Sequence, residues 1–279
     1  MIAQSLISKL SNRLLSENGG RRIPEAVLER DYCMAWFLVG LSQTSLKNKL
    51  TFKGGTALRR CYFSDYRFSE DLDFTILQSL TLEELKTDLE EVYKATKAAS
   101  NMVFRFSRPD SESHQNSYTF YLSYEGPLPN LSSPKEIKVD VTIKEKVVFK
   151  PEELPVLKSC KEFSDLPTDA KIKVYSLLEI ASEKTVALLD KARSEPRDLY
   201  DLWYLTVKAK RVNLSDCLQA IHEKLAHRKK ELTTVKEEFD RKEARLQKTW
   251  LSRLGAQMSA VPEFDGVFRA VKRNLRCLR

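Results

Sequence analysis

The sequence predicts an α+β fold: a mixed sheet with flanking helices in the first half of the chain, followed by a helical second half. Three observations predict it. "DLDFTI" (71–76) and "EIKVDVTI" (136–143) alternate strictly between apolar and polar residues, the period of a half-buried strand. A Gly-Gly pair at 54–55 separates a short strand-like run from a helix-like one. Beyond Asp169 almost everything carries helical spacing up to Leu254, including a long charged segment from Ser215.

The elements follow in order. Residues 24–47 have helical apolar spacing, with Pro24 suited to a first turn. "KLTFKG" is a short strand, the glycines turn, and a helix runs from Thr56 to about Phe63. In "DLDFTI", Leu72, Phe74 and Ile76 take one face, and Asp71 and Asp73 the other. "TLEELKTDLEEVYKATKAAS" is a charged helix in which Thr81, with Glu84 three residues on, forms a capping box. "MVFRF" and "SYTFYLSY" pair as strands, and in "EIKVDVTI" Asp140 lies on the polar face with Lys138 and Thr142. From Pro151 to Asp169 three prolines make the chain irregular, so the predicted domains are 1–150 and 151–279.

Composition narrows the class. With 42% hydrophobic and 31% charged residues, the 279-residue chain fits a soluble globular protein rather than a disordered one. No apolar run approaches the roughly 20 residues of a membrane span. The N-terminus reads as a polar amphipathic helix without a signal-peptide core, so the expected location is cytoplasmic. Five scattered cysteines, never spaced Cys-x-x-Cys, argue against a disulfide framework and a zinc site. The net charge of +8 is concentrated: from Arg241 to Arg279 ten Lys+Arg stand against three Asp+Glu, a balance of +7 (10 − 3). That patch is either a solvated helix surface or one that meets phosphates.

Chemistry gathers in "TFKGGTALRRCYFSDYRFSEDLDFTI" (51–76). Side chains two apart on a strand point the same way, so Asp71 and Asp73 converge on one divalent cation. Magnesium, or manganese, suits such oxygen ligands. Asp140 supplies a third carboxylate if its strand is a neighbour. Three clustered carboxylates repel, and two cations about 3.5–4 Å apart would relieve that while stabilising the attacking and leaving oxygens of an in-line phosphoryl transfer. Two glycines alone signal only a tight turn needing positive φ. Beside Asp-x-Asp, they read as a turn whose backbone N–H groups approach a polyphosphate, with the Thr56 hydroxyl as a further donor. Ser69 shares the face of Asp71 and could ligate metal or phosphate, or accept a modification. Arg59, Arg60 and Arg67 are either exposed charges that aid solubility or contacts for a polyphosphate or RNA strand.

In the second half, Lys184 falls within an apolar stripe of Leu177, Ala181 and Leu188. Such a lysine needs a counter-charge: a triphosphate, or an aspartate of the facing domain. As a lone charge in that stripe, its removal is expected to cost little stability. Arg197, Asp198 and Asp201, at a helix start behind Pro196, read by themselves as first-turn caps and an i,i+4 pair.

"GGTALRRCYFSDYRFSEDLDF" resembles the motif of DNA polymerase β-like nucleotidyltransferases, and more closely that of the AbiEii/AbiGii toxin family. That family's Lys-Gly-Gly-Thr-x-Leu turn and Arg-x-Ser-x-Asp-Leu-Asp-Phe strand are matched by Lys53 to Leu58 and Arg67 to Phe74. Its later Lys and Arg-Asp-Leu-x-Asp segments are similar to "EIASEKTVALLDKARSEPRDLYDL", so the motifs span residues 50–203. The resemblance implies a metal-dependent nucleotidyltransferase toxin that moves nucleotides from an NTP to RNA, with tRNA as acceptor and a cognate antitoxin, to inhibit growth or phage propagation. It implies a C-terminal domain that completes the active site. Asp71, Asp73 and Asp140 would hold magnesium, Asp140 also activating the attacking hydroxyl. Lys53, Gly54, Gly55, Thr56, Ser69 and Asp198 would bind the nucleotide, Lys184 would neutralise phosphate, and Asp201 would orient it. Transfer to a protein, or a non-catalytic nucleic-acid-binding module, are the alternatives.

Overall fold

The computed structural model describes residues 1–18, 20–111, 116–129, 135–230 and 235–278. The chain is α+β, as predicted, and divides into two compact units. Unit 1 comprises Met1–Lys144 and Pro151–Val174; unit 2 comprises Glu145–Lys150 and Tyr175–Arg279.

Unit 1 holds α1 (Gln4–Asn18), α2 (Glu25–Ser42), β1 (Leu50–Lys53), α3 (Gly54–Ala57), β2 (Asp71–Ile76), α4 (Leu82–Ser100), β3 (Val103–Pro109), β4 (Ser117–Glu125), β5 (Glu136–Thr142), β6 (Glu152–Pro155) and β7 (Lys171–Val174). The strands form one mixed sheet in the order β3-β4-β5-β2-β1-β7-β6. β2 runs parallel to β5 and antiparallel to β1. The period-2 pattern sends Phe52, Leu72, Phe74, Phe120, Leu122, Val139 and Val141 into the unit's core, with Leu28 and Phe37 of α2 and Leu85 and Leu89 of α4. Each large apolar side chain so buried contributes roughly 1.5–3 kcal/mol. The alternate positions of the same strands, Lys53, Asp71, Asp73 and Asp140, lie on the other face, partly exposed.

The capping box at α4 forms: the Thr81 hydroxyl accepts from the Glu84 N–H, and the Glu84 carboxylate accepts from the Thr81 N–H at 2.8 Å. The helix ends at Asn101 in the left-handed region, φ 62°.

Residues 151–174 differ from the expectation that chain beyond residue 150 belongs to the helical half. They contribute β7, parallel to β1, and β6 at the sheet edge. Four-residue strands are too short to display alternation, and the prolines mask them. Pro155 is tolerated at the end of an edge strand, where its missing N–H breaks no interior ladder.

Unit 2 holds α5 (Leu177–Leu189), α6 (Pro196–Trp203), α7 (Leu218–His227), α8 (Val235–Arg241), α9 (Glu243–Leu254) and α10 (Phe264–Asn274). Its interior includes Ile180, Leu188, Leu202, Ile221, Leu254 and the stacked rings of Phe239 and Phe268. Lys224 of α7, fully buried, ties the 145–150 segment into this unit. Its ammonium lies 2.6 Å from the Glu179 carboxylate and donates to the Lys146 carbonyl at 2.7 Å. Glu179 in turn accepts from the backbone N–H groups of Val148 and Phe149. Burial pulls the Lys224 ammonium down, but Glu183, Glu179 and Glu145 outweigh it, so it holds its proton above the ordinary lysine range. Among the described residues, no helix is long and apolar enough to cross a membrane.

Candidate active site

In unit 1, β1 ends on Lys53, and the chain turns at Gly54 with φ +78°, a conformation L side chains rarely adopt. The second reason for glycine is proximity. A Cβ on Gly54 would sit 2.3 Å from Asp73 Oδ2, and one on Gly55 would sit 2.5 Å from Arg67 Nη2 and 3.3 Å from Ser69 Oγ. The turn is therefore both a positive-φ bend and a backbone surface laid against the Asp73 carboxylate. Gly54→Ala is expected to cost about 1–2 kcal/mol through its backbone alone. It also forces the carboxylate aside, and a displacement near 1 Å can lower a rate about 10²-fold. Transfer rates and melting temperatures measured together check this: a normal rate would show that Asp73 tolerates displacement.

Register sets two of the three carboxylates side by side. Asp73 pairs with Lys53 on β1 and with Asp140 on β5, so two of the acids occupy adjacent strands at one level. Asp71 is on the same strand face, two residues before Asp73. Lys53 Nζ donates to Thr142 Oγ1 at 2.9 Å, and Thr119 Oγ1 of β4 donates to Asp140 Oδ2 at 3.2 Å. Sequence reasoning missed Thr119, although it lies on the polar face of an alternating strand and opposite Asp140 in register. Among the described residues, no three His, Cys, Asp or Glu side chains are gathered as a ready metal site. The donor chemistry still fits a hard cation. All donors are carboxylate oxygens, and magnesium ordinarily takes one or two carboxylates plus substrate phosphates rather than an all-protein cage.

One expected nucleotide contact is occupied differently. The Thr56 hydroxyl, fully buried, donates to the Asp71 carbonyl at 2.5 Å, fixing the start of β2 to the turn. Ser69 is also buried, beside Gly55.

The arginines are a correction: none is an exposed contact. Arg59, Arg60 and Arg67 are all buried. Asp31 of α2 bridges the first two, meeting Arg59 Nε at 3.0 Å and the Arg60 guanidinium through its other oxygen. Arg59 also donates to the Tyr66 carbonyl and lies 3.7 Å over the Phe68 ring. Arg60 donates to the carbonyls of Asp31 and Leu157. The pair thus anchors the loop that delivers Arg67, Ser69 and Asp71 to the turn. Nothing in the local spacing around residue 60 points to an aspartate nearly thirty residues earlier.

In unit 2, Lys184 of α5 is bonded by two acids of α6, Asp198 at 2.7 Å and Asp201 at 2.8 Å. The counter-charges found differ from the facing-domain aspartate expected: both acids belong to the same unit as Lys184. Arg193, which sequence reasoning missed, holds the second oxygen of Asp198 at 2.7 Å. Burial pushes the Asp198 carboxyl up, but Lys184 and Arg193 outweigh it and hold the group below the ordinary carboxylate range. Arg197 pairs with Glu195 at 3.1 Å.

Of the tail's ten basic residues, Arg241 to Arg253 lie on or beside α8 and α9, and Arg269 to Arg276 on α10 and the turn after it. Arg269, Arg273 and Arg276 are exposed, spaced i, i+4, i+7 on one side, whereas Lys272 is half-buried against Asp240 at 2.7 Å. Arg279 lies outside the described residues.

Comparison with known proteins identifies the family. The model of the nucleotidyl transferase AbiEii toxin family of type IV toxin–antitoxin systems matches residues 36–270. No curated protein matches the sequence. The fold is similar to that of MenT4, a nucleotidyltransferase toxin from Mycobacterium tuberculosis H37Rv, with a TM-score of 0.67 at 17% identity over 100% of this chain and 90% of that one. It is also similar to JHP933 from Helicobacter pylori, with a TM-score of 0.56 at 16% identity over 92% and 93% of the two chains. A family model spanning most of the sequence makes the conclusion plain: the chain belongs to the AbiEii family of nucleotidyltransferase toxins.

Proposed function

We propose that this nucleotidyltransferase toxin transfers nucleotides from an NTP to an RNA 3′ hydroxyl, with tRNA as the acceptor, in a reaction dependent on Mg2+ or Mn2+ that restrains growth or phage propagation. The observation that carries the reading is the level shared by Lys53, Asp73 and Asp140, with the Gly54 backbone against Asp73. Asp71 and Asp73, with Asp140, would hold the cation, which when bound neutralises phosphate charge and polarises the bond that breaks. The Gly54-Gly55 backbone and Ser69 position the triphosphate, while Thr56 braces Asp71 from behind. Asp140, oriented by Thr119, accepts the proton of the attacking hydroxyl. Lys184 neutralises phosphate charge, held in place by Asp198 and Asp201. A cognate antitoxin restrains the enzyme.

The test is incubation of the purified protein with each labelled NTP, total RNA, and Mg2+, Mn2+ or chelator. Label entering tRNA only with a divalent cation is the expected result; label entering protein instead would overturn the RNA acceptor.

The arginine stripe supplies a second expected outcome. If Arg269, Arg273 and Arg276 meet RNA phosphates, affinity falls by roughly 0.7 log unit per contact for each decade of salt on a single strand. The triple alanine variant should bind RNA more weakly with a shallower salt slope, measured by fluorescence anisotropy. Unchanged affinity and slope would make the stripe a solvated surface.

A further inference from the structure

The polar face of the sheet continues past the carboxylates in one uninterrupted row. Asp71 of β2 is in register with Lys138 of β5, Lys138 with Tyr121 of β4, and Tyr121 with Arg108 of β3. The last step depends on a bulge. Phe106 pairs with Leu122, and the register then shifts so that Arg108 rather than Ser107 stands opposite Tyr121. Bulges re-aim side chains, and they cluster near active sites.

Arg108 is held there. Its guanidinium carbon lies 3.8 Å from the centroid of the Tyr121 ring. Its Nε and Nη2 fork onto the two oxygens of Glu136 at 3.1 and 2.7 Å, and Ser107 donates to the same carboxylate. The Arg108 side chain is nevertheless 51% exposed. Lys138, the next member, is paired with Asp110 at 2.8 Å. The charges along this row are balanced, so it does not offer a phosphate trap. It offers a flat, restrained guanidinium on an aromatic ring, a surface that stacks an unpaired base.

We propose that Arg108 and Tyr121 form a stacking platform for a base of the single-stranded RNA acceptor, upstream of the nucleotide that reacts. The proposal rests on the RNA-acceptor reading above. Three strand spacings of about 4.8 Å separate β3 from β2, which sets the platform about 14 Å from Asp71. At that distance the occupant is a base linked through the acceptor chain, not the base of an NTP whose phosphates lie at Asp71 and Asp73. Stacking is tolerant of sequence and nearly indifferent to salt, which separates it from the arginine stripe of α10.

The test uses the full chain, with a short single-stranded RNA carrying 2-aminopurine a few nucleotides from its 3′ end. Binding should quench the fluorophore in the parent protein. Arg108→Ala and Tyr121→Leu should remove the quench at all salt concentrations, and Glu136→Gln, which loosens the guanidinium, should weaken it. In transfer assays the KM for RNA should rise on the order of tenfold in Arg108→Ala, with the KM for NTP and kcat unchanged. Quenching that survives both Arg108→Ala and Tyr121→Leu overturns the platform. So does a raised KM for NTP with an unaltered KM for RNA, which would assign the surface to the substrate base. If the parent protein labels no RNA but still quenches the probe through Arg108 and Tyr121, the acceptor reading fails while base stacking stands. If RNA is labelled but quenching is unaffected by the variants, the acceptor reading stands and the platform fails.

Discussion

Asp73→Asn is expected to abolish nucleotide transfer while leaving the fold intact. The substitution keeps the shape of the side chain and removes one of two negative charges on this face of β2, beside Asp140 of β5. Asp73 sits between Lys53 and Asp140 in register, with Asp71 two residues away, so loss of its charge relieves repulsion as well as an attraction. Its side chain is only partly buried, on the face opposite the apolar core. The melting temperature should therefore move little. The rate should fall further than the roughly 10–100-fold lost when an outer partner of a metal ligand is removed, because Asp73 is proposed as a ligand itself. Asp140→Asn provides the contrast. If Asp140 serves mainly as the proton acceptor, its loss should lower kcat by about 10²–10⁴ and leave NTP binding unchanged in calorimetry. Near-normal transfer by Asp73→Asn, at equal folded protein, would exclude it from the reaction.

The fold was legible where periodicity was long. Six- to nine-residue strands show which face carries Asp71, Asp73 and Asp140, and the Thr81 capping box marks the start of α4. Periodicity failed where strands were short and flanked by proline, at β6 and β7. Within the site, the roles of single residues were less legible than their grouping. Gly54 and Gly55 carry the same letter but face an acid and an arginine respectively. Arg59 and Arg60 look like surface charge until Asp31, on a different helix, is seen between them. A pairing of that kind depends on tertiary contact that no local pattern encodes, and so does the Thr119 bond to Asp140. Lys184 lay between these cases: its apolar stripe demanded a counter-charge but did not name one.

With that counter-charge identified, the expected result of Lys184→Met reverses. A lone lysine in an apolar stripe could be removed at little cost, but Lys184 is bonded to both Asp198 and Asp201, whose side chains are 2% and 0% exposed. Deleting the cation that serves two buried acids should cost about 3–5 kcal/mol. The loss should also depend on pH, with a definite sign. Asp198 has a folded pKa held below its ordinary value of 3.8, so its contribution is fully present above that value and is lost as pH falls through the depressed one. The parent protein therefore keeps this stabilisation at neutral pH and gives it up on acidification below about pH 4. Lys184→Met keeps only the share that Arg193 supplies, so the stability gap between the two should narrow in acid. A gap that stays constant from pH 7 to pH 3 would show that packing, not charge, is responsible. Lys184→Met/Asp198→Asn/Asp201→Asn then separates structure from chemistry. Removing the buried charges together should restore much of the stability. If transfer returns in that stable variant, the task of Lys184 was to neutralise the two aspartates; if it stays lost, at least one of the three side chains acts on the substrate.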